Sequence, residues 1–152
     1  MRLWHKGLLQ VLPRQQLCSQ WRECCCIAKN LSIKSTPNHI LVNKILNYPI
    51  QDFIQYSYMV RDEMIKRNYK ISNNAMHNFQ DNMLKCCGSY SYDSSLTEIF
   101  KGWHNERYLV QCLLNLQEKY DCGGITEDEW KIINDDNWMY LDDDIIINNL
   151  GR

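Results

Sequence analysis

The chain has 152 residues, 45% of them hydrophobic and 23% charged, and a chain of this size can bury a sizeable core without metal ions or disulfide bonds. No stretch approaches the roughly 18 consecutive apolar residues that a membrane-spanning helix needs. The opening segment MRLWHKGLLQVLPRQQ is too short in its apolar part and too polar for a secretory signal. We therefore expect a cytoplasmic protein without membrane contact, whose eight cysteines are reduced.

The net charge of −1 conceals a strong asymmetry between the two halves of the sequence. Residues 1–70 carry 11 Lys and Arg against 4 Asp and Glu, a net of +7, whereas residues 71–152 carry 6 against 14, a net of −8. A basic half attracts a polyanion while an acidic half repels it, so this distribution would orient the chain on a nucleic acid. The alternative is that the two halves simply neutralise each other in the fold.

Helical spacing begins directly after Pro13, a residue that suits the first turn of a helix because its missing N–H costs nothing there. The apolar residues that follow recur every three or four positions and form one helix face: Leu17, Trp21, Cys24, Cys25 and Ala28. After a break at STPN (35–38), the pattern predicts a short helix over about 38–46. It then predicts a long amphipathic helix that follows Pro49, and another helix over 74–84.

The polar and aromatic segment CCGSYSYDSS (86–95) is typical of a loop. Helical spacing returns over 103–120 and ends at Cys122-Gly123-Gly124. A capping box, in which Thr126 and Glu129 cap each other's backbone amides, predicts the start of a last helix.

No alternation of strands and helices suggests a parallel sheet, so the fold class is mainly α. We predict a compact single-domain helical bundle over residues 1–134. An acidic tail, 135–152, docks on this domain or trails from it, and its IIIN segment could form a short strand.

The cysteines and histidines do not show the spacing of a metal site. Zinc sites usually contain cysteine pairs two to four residues apart, whereas Cys24-Cys25-Cys26 and Cys86-Cys87 are adjacent, and neighbours on a helix point about 100° apart. Burial as small hydrophobic residues explains most of these thiols better, and no local signature supports a cysteine nucleophile. His104 and Tyr108 share one helix face, an arrangement more typical of packing than of chemistry. We expect no metal.

The adjacent pair Arg22-Glu23 lies mid-helix, beside the apolar face and inside the basic half. An arginine can hold a phosphate, and a partly buried glutamate can act as a general acid or base. Arg14 and Lys29 share roughly one face with Arg22, at spacings of eight and seven. The alternative interpretation is a surface pair beside Trp21.

The stretch LPRQQLCSQWREC (12–24), preceded by the short segment MRLWH, resembles the pyrimidine dimer DNA glycosylases, the phage endonuclease V family. In that family a first helix carries an Arg-Glu pair about twenty residues after the N-terminus. The blocks RDEMIKRNYK (61–70) and FKGWHNERYLVQCLLNLQEKYDCGGI (100–125) are similar to a bacterial branch of it. The likeness to the branch covers most of the chain, and the likeness to the phage enzyme is specific over residues 1–26.

The resemblance implies a nearly all-helical single domain that removes a base from a cyclobutane pyrimidine dimer and then cleaves at the abasic sugar. The family's nucleophile is the α-amine of an N-terminal threonine. This chain has no threonine there, so the role falls to Met1, which we expect to be retained because Arg2 is large. An α-amine is less basic than a lysine side chain, so more of it is neutral at cell pH. Glu23 would stabilise the sugar cation and transfer protons. The DNA backbone contacts would come from Arg2, Arg14, Arg22 and Lys29.

The chain departs from the family pattern at two further positions. Cys26 stands where the phage enzyme has a second arginine, and Gln16 stands where it has a histidine. Both changes weaken the contacts to phosphate and lesion, so a plain abasic site or another damaged base would also suit this smaller set of contacts. We expect a monomer that acts on damaged double-stranded DNA such as pyrimidine dimers, without metal or organic cofactor. The alternatives are a non-catalytic nucleic-acid-binding protein of the same fold and a protein-interaction module that uses the acidic tail.

Overall fold

The computed structural model describes residues 1–33, 37–93, 95–96 and 98–137. Within these residues all the regular structure is helical, so the mainly α prediction is confirmed. The tail beyond residue 137, with the IIIN segment, lies outside the described residues. The α-helices are α1 (Arg14–Ser32), α2 (Ile40–Asn43), α3 (Ile50–Lys66), α4 (Asn73–Cys87), α5 (Glu106–Asp121) and α6 (Glu127–Asn137), and short 3-10 turns cover Lys6–Leu8 and Lys44–Asn47.

Several predicted helix boundaries are confirmed. α1 begins at the residue after Pro13, and α3 begins at the residue after Pro49. The capping box at the start of α6 forms as predicted, since the amide of Thr126 donates to Oε2 of Glu129 at 2.9 Å and the amide of Glu129 donates to Oγ1 of Thr126 at 3.2 Å. The described helices therefore start where proline and capping residues favour a start.

Two predicted boundaries are wrong. α4 continues through Cys86 and Cys87, which we expected in a loop, and it ends only at Gly88, whose φ of 77° is the left-handed conformation that terminates a helix. α5 starts at Glu106 rather than near residue 103, because the side chain of Asn105 accepts a hydrogen bond from the amide of Tyr108 and caps the helix there. Trp103 therefore precedes the helix.

The chain divides into two compact units. The first contains Met1–Leu3 and Gln15–Phe100. Its core is aromatic: the ring of Phe79 on α4 lies 5.6 Å from that of Trp21 on α1 and 6.3 Å from that of Phe53 on α3. These three rings tie the helices of this unit together, because buried aromatic side chains contribute large apolar areas.

The second unit contains Trp4–Arg14 and the segment that begins at Lys101. The rings of His5 and His104 stack with centroids 5.1 Å apart, and Tyr108 at the start of α5 lies 5.2 Å from His104. Tyr120 on α5 stacks on Trp130 of α6 at 5.3 Å. The division of the sequence into a domain of residues 1–134 and a tail stays a prediction. None of the helices in the described residues is both long and apolar enough to cross a membrane.

Candidate active site around Glu23

Helix α1 places Glu23 at the border between its buried and its exposed face. The side chains on the inner face are buried, and Arg22 points outward into solvent while Glu23 is only half-buried. Successive residues of a helix are rotated by about 100°, so a residue next to an exposed arginine and next to the buried Cys24 must lie at this border. A carboxylate in such a place is accessible to a ligand and is also held by the protein.

The N-terminal segment meets this carboxylate. The backbone amide of Arg2 donates a hydrogen bond to Oε2 of Glu23 at 3.3 Å, although the two residues are 21 positions apart. The N-terminal nitrogen of Met1 and the amide nitrogen of Arg2 are separated by three bonds, which limits their distance to about 3.7 Å. The α-amine therefore lies within about 7 Å of Oε2. Met1 is 48% exposed, whereas Leu3 is fully buried and anchors the segment.

A buried side chain, itself held by a second buried side chain, contacts the same carboxylate from within the first unit. Nε2 of Gln20 donates to Oε2 of Glu23 at 3.4 Å, and the hydroxyl of Tyr56 donates to Oε1 of Gln20 at 3.1 Å. Gln20 is 1% exposed and Tyr56 is fully buried. Sequence reasoning missed both residues. The spacing of three between Gln20 and Glu23 could have indicated the first, whereas nothing in the sequence connects Tyr56 with α1.

The four predicted DNA-contacting cations differ in their exposure. Arg22 and Lys29 are exposed on one face of α1, and the guanidinium of Arg22 donates to Oγ of Ser19 at 2.9 Å. Arg14 is exposed at the first residue of α1. Arg2 is half-buried and reaches Glu23 through its backbone amide. In the described part of the chain no cation forms an ion pair with Glu23.

A groove of about 450 Å³ runs between α1 and α4 beside this outer face. Lys29 lines it from α1, and the amides of Asn78 and Asn82 line it from α4, together with Lys85, which is paired with Asp81 at 2.9 Å. The groove extends the polar, cation-bearing surface of α1 beyond Lys29.

The thiols next to Glu23 are poor candidates for chemistry. Burial raises the pKa of the Cys24 thiol far above its usual range and raises the pKa of the Cys25 thiol to about 11, so both stay protonated at neutral pH. Our expectation that most cysteines are buried is wrong: Cys24 and Cys112 are buried, while Cys26, Cys87 and Cys122 are exposed. Three adjacent helical positions cannot all face the core. Among the residues described, no three His, Cys, Asp or Glu side chains are grouped so that they could hold a metal ion.

Comparison with known proteins identifies the family. Residues 1–77 match the family model described as pyrimidine dimer DNA glycosylase. This range includes Met1, Arg2, Gln20, Glu23 and Tyr56, and so every residue of the site around the carboxylate. No curated protein and no solved structure matches the chain. Because the match covers 77 of the 152 residues, half of the chain, the protein belongs to the pyrimidine dimer DNA glycosylase family.

Proposed function

We propose that the protein cleaves the bond between base and sugar at damaged sites such as pyrimidine dimers in double-stranded DNA, and then cleaves the strand at the resulting abasic sugar. The Met1 α-amine is the nucleophile and Glu23 is the proton-transfer group. The observation that carries this proposal is the hydrogen bond from the Arg2 amide to Glu23, which brings the N-terminus beside the carboxylate. The family membership supports glycosylase activity. The geometry supports an amine and a carboxylate that act on the same sugar.

In the first step the lone pair of the amine forms a bond to C1′ of the deoxyribose while the bond from C1′ to the base breaks. The base leaves with that electron pair and takes a proton from water. Glu23 stabilises the positive charge that develops on the sugar. It then takes a proton from the attacking nitrogen and returns it to the ring oxygen, so that the ring opens and a protonated imine remains.

In the second step the imine makes the C2′ proton acidic. Glu23 removes this proton, and the electrons of the broken C–H bond form a double bond between C2′ and C3′. The 3′-phosphate leaves C3′ with the electron pair of the broken C–O bond. Water then hydrolyses the imine and restores the amine. The half-exposed position of Glu23 supports this role, because the carboxylate must reach both the nitrogen and the sugar.

Phosphate contacts would hold the DNA over this centre. Arg22 and Lys29 are exposed and seven positions apart on α1, so they lie on one face about 10 Å apart along the axis. In this proposal Arg2 and Arg14 supply further contacts to the DNA backbone, a kind of contact that does not read the base sequence. Extruding a base costs least where the duplex is already damaged, and this supplies lesion selectivity.

The test is borohydride trapping of the imine. Untagged protein whose intact mass shows a retained Met1 is mixed with duplex DNA that contains one abasic site, and borohydride reduces any imine to a stable amine. We expect one protein–DNA adduct, mapped to the Met1 nitrogen by mass spectrometry. An N-terminal extension should abolish the adduct, and Glu23→Gln should slow its formation, whereas Glu118→Gln, an exposed glutamate on α5, should leave it unchanged.

The absence of an adduct would refute the nucleophile that we propose. If DNA binding then remains and weakens as salt rises, the chain is a non-catalytic DNA-binding member of the family, because phosphate-driven affinity must fall with salt. If no salt-dependent affinity is found, the interaction-module alternative takes its place.

A further inference from the structure

The two oxygens of the Glu23 carboxylate have different surroundings. Both donors to this side chain, the Arg2 amide and the Gln20 amide group, end on Oε2. Within the described residues no group donates to Oε1. One oxygen is therefore held by the protein, and the other has no donor among the described residues of this half-buried side chain's surroundings.

Tyr56 fixes which end of the Gln20 side chain faces Glu23. A carboxamide can rotate so that either its oxygen or its NH₂ group points at the carboxylate, and only the NH₂ orientation is favourable beside an anion. The Tyr56 hydroxyl donates to Oε1 of Gln20 and so selects that orientation. The order of donors is then hydroxyl to amide oxygen, and amide nitrogen to carboxylate. Hydrogen bonds in such a chain polarise and strengthen one another in a buried environment.

We propose that Gln20 and Tyr56 are positioning residues for Glu23: they hold Oε2 so that Oε1 is the oxygen that takes and returns protons. This inference rests on the function proposed above, because it assigns the proton transfers of Glu23 to one of its two carboxylate oxygens. Neither residue touches the substrate in this scheme. They act through Glu23, from inside the first unit, where both are almost completely buried.

The two contacts to Oε2, at 3.3 and 3.4 Å, are longer than most hydrogen bonds from a nitrogen to an oxygen. Hydrogen bonds around catalytic groups are often long in a free enzyme and shorten in the complex. A carboxylate held at one oxygen can still rotate by a small angle about its last bond. Binding of the sugar at Oε1 would then tighten the contacts at Oε2, and the cost of orienting the group would already be met in the folded protein.

A kinetic experiment separates this role from ordinary packing. Tyr56→Phe removes one buried hydroxyl, and Gln20→Met removes the hydrogen bonds to Glu23 and to Tyr56 with little change in side-chain length. Tyr58→Phe is the matched control, because Tyr58 is a buried tyrosine two residues away on α3 whose hydroxyl donates to the backbone oxygen of Tyr90 instead. The readouts are the single-turnover elimination rate on an abasic-site duplex, the dissociation constant for the same duplex, and the melting temperature.

We expect Tyr56→Phe and Gln20→Met to slow the single-turnover rate between about 10- and 100-fold, the range that a small misplacement of a catalytic group produces. DNA affinity should stay within about twofold, because neither residue contacts phosphate. The double variant should be no slower than the slower single variant, because residues that act as one unit are not additive. Tyr58→Phe should destabilise the protein as much as Tyr56→Phe and keep the wild-type rate. Wild-type rates in both Tyr56→Phe and Gln20→Met would overturn the proposal.

A second readout does not depend on activity. In ¹⁵N-labelled protein the backbone amide of Arg2 and the side-chain NH₂ of Gln20 each report on Glu23. Glu23→Gln should shift both signals. Tyr56→Phe should shift the Gln20 signal and, through the carboxylate, the Arg2 signal, whereas Tyr58→Phe should shift neither.

The two readouts distinguish failure of this inference from failure of the proposed function. If the wild-type protein forms no imine and the two signals still respond to Tyr56→Phe, the proposed function fails while the placement of Glu23 by Gln20 and Tyr56 stands. If the imine forms and neither the rate nor the signals respond to Tyr56→Phe, the function stands and the positioning role is refuted. If the imine does not form and the signals do not respond, both are refuted.

Discussion

The two units of the molecule each place a polar cluster beside part of the N-terminal segment. The two clusters differ in how far their titratable side chains are buried. In the first unit, Glu23 is half-buried, and among the described residues both of its hydrogen-bond donors end on one oxygen. In the second unit, His5 and His104 are each 8% exposed and stack on each other. Histidine is the residue more often associated with catalysis. Here burial makes the histidines structural, and the residue that remains accessible is the glutamate.

Backbone hydrogen bonds and burial keep the two histidines from taking up protons. Nδ1 of His104 accepts from the amide of Lys6 at 3.0 Å, and Nδ1 of His5 accepts from the amide of Gly7 at 3.0 Å. A nitrogen that accepts in this way cannot carry a proton. Burial lowers the pKa of His5, and burial together with the nearby His5 and Lys6 lowers the pKa of His104 to about 2. Both rings are therefore neutral, and their hydrogen bonds fix the backbone of residues 5–7.

The largest expected effect comes from removing the charge of Glu23. Glu23→Gln should lower the single-turnover elimination rate by between about 10²- and 10⁴-fold, the usual contribution of a general acid or base. The dissociation constant for abasic-site DNA should change little, because a carboxylate contributes nothing to phosphate binding. Rapid-quench kinetics with excess protein provides the rate. If the variant retains the wild-type rate, another residue transfers the proton. The distinction between a catalytic glutamate and structural histidines would then be wrong.

The buried histidines should affect the pH dependence of stability rather than the enzymatic activity. The folded-state pKa of His104, about 2, lies below the unfolded value of 6.5, so the unfolded chain binds a proton that the folded chain refuses. Stability is therefore unaffected above pH 6.5 and falls as the pH drops below it. At pH 4.5 the loss from this group is about 2 to 3 kcal/mol, since each pH unit is worth about 1.4 kcal/mol.

His104→Gln isolates this contribution. The variant should be less stable than the wild-type protein at pH 7, because stacking on His5 is lost. Its free energy of unfolding should then decrease less than that of the wild-type protein between pH 7 and pH 4.5, because other titrating groups are common to both. Urea unfolding at the two pH values measures the difference. Equal decreases in the two proteins would mean that the buried ring accepts a proton in the folded state.

Some of these features follow from local sequence, and others depend on contacts between distant residues. Helix α1 and the Arg22-Glu23 pair were predictable, because apolar spacing defines the buried face and the arginine must then lie outside. The contact of Lys6 with His104 joins residues 98 positions apart, and the Tyr56 hydroxyl reaches Gln20 across 36 positions. Such pairings depend on how helices pack, which one sequence does not encode locally. The start of α5 was misplaced for a local reason, since the Asn105 cap outweighs the apolar spacing that includes Trp103.

The smallest expected effect concerns the cations beside Glu23. If Arg22 contacts one phosphate, Arg22→Gln should make the negative slope of log affinity against log salt concentration shallower by about 0.9. It should weaken binding alike for damaged and undamaged duplexes. Lys131→Gln is the control, because Lys131 is exposed on the acidic helix α6 and should leave the slope unchanged. Fluorescence anisotropy at several salt concentrations measures both slopes. A loss of affinity confined to damaged DNA would instead indicate that Arg22 contacts the lesion. The substrate-binding site would then extend from Glu23 across the outer face of α1.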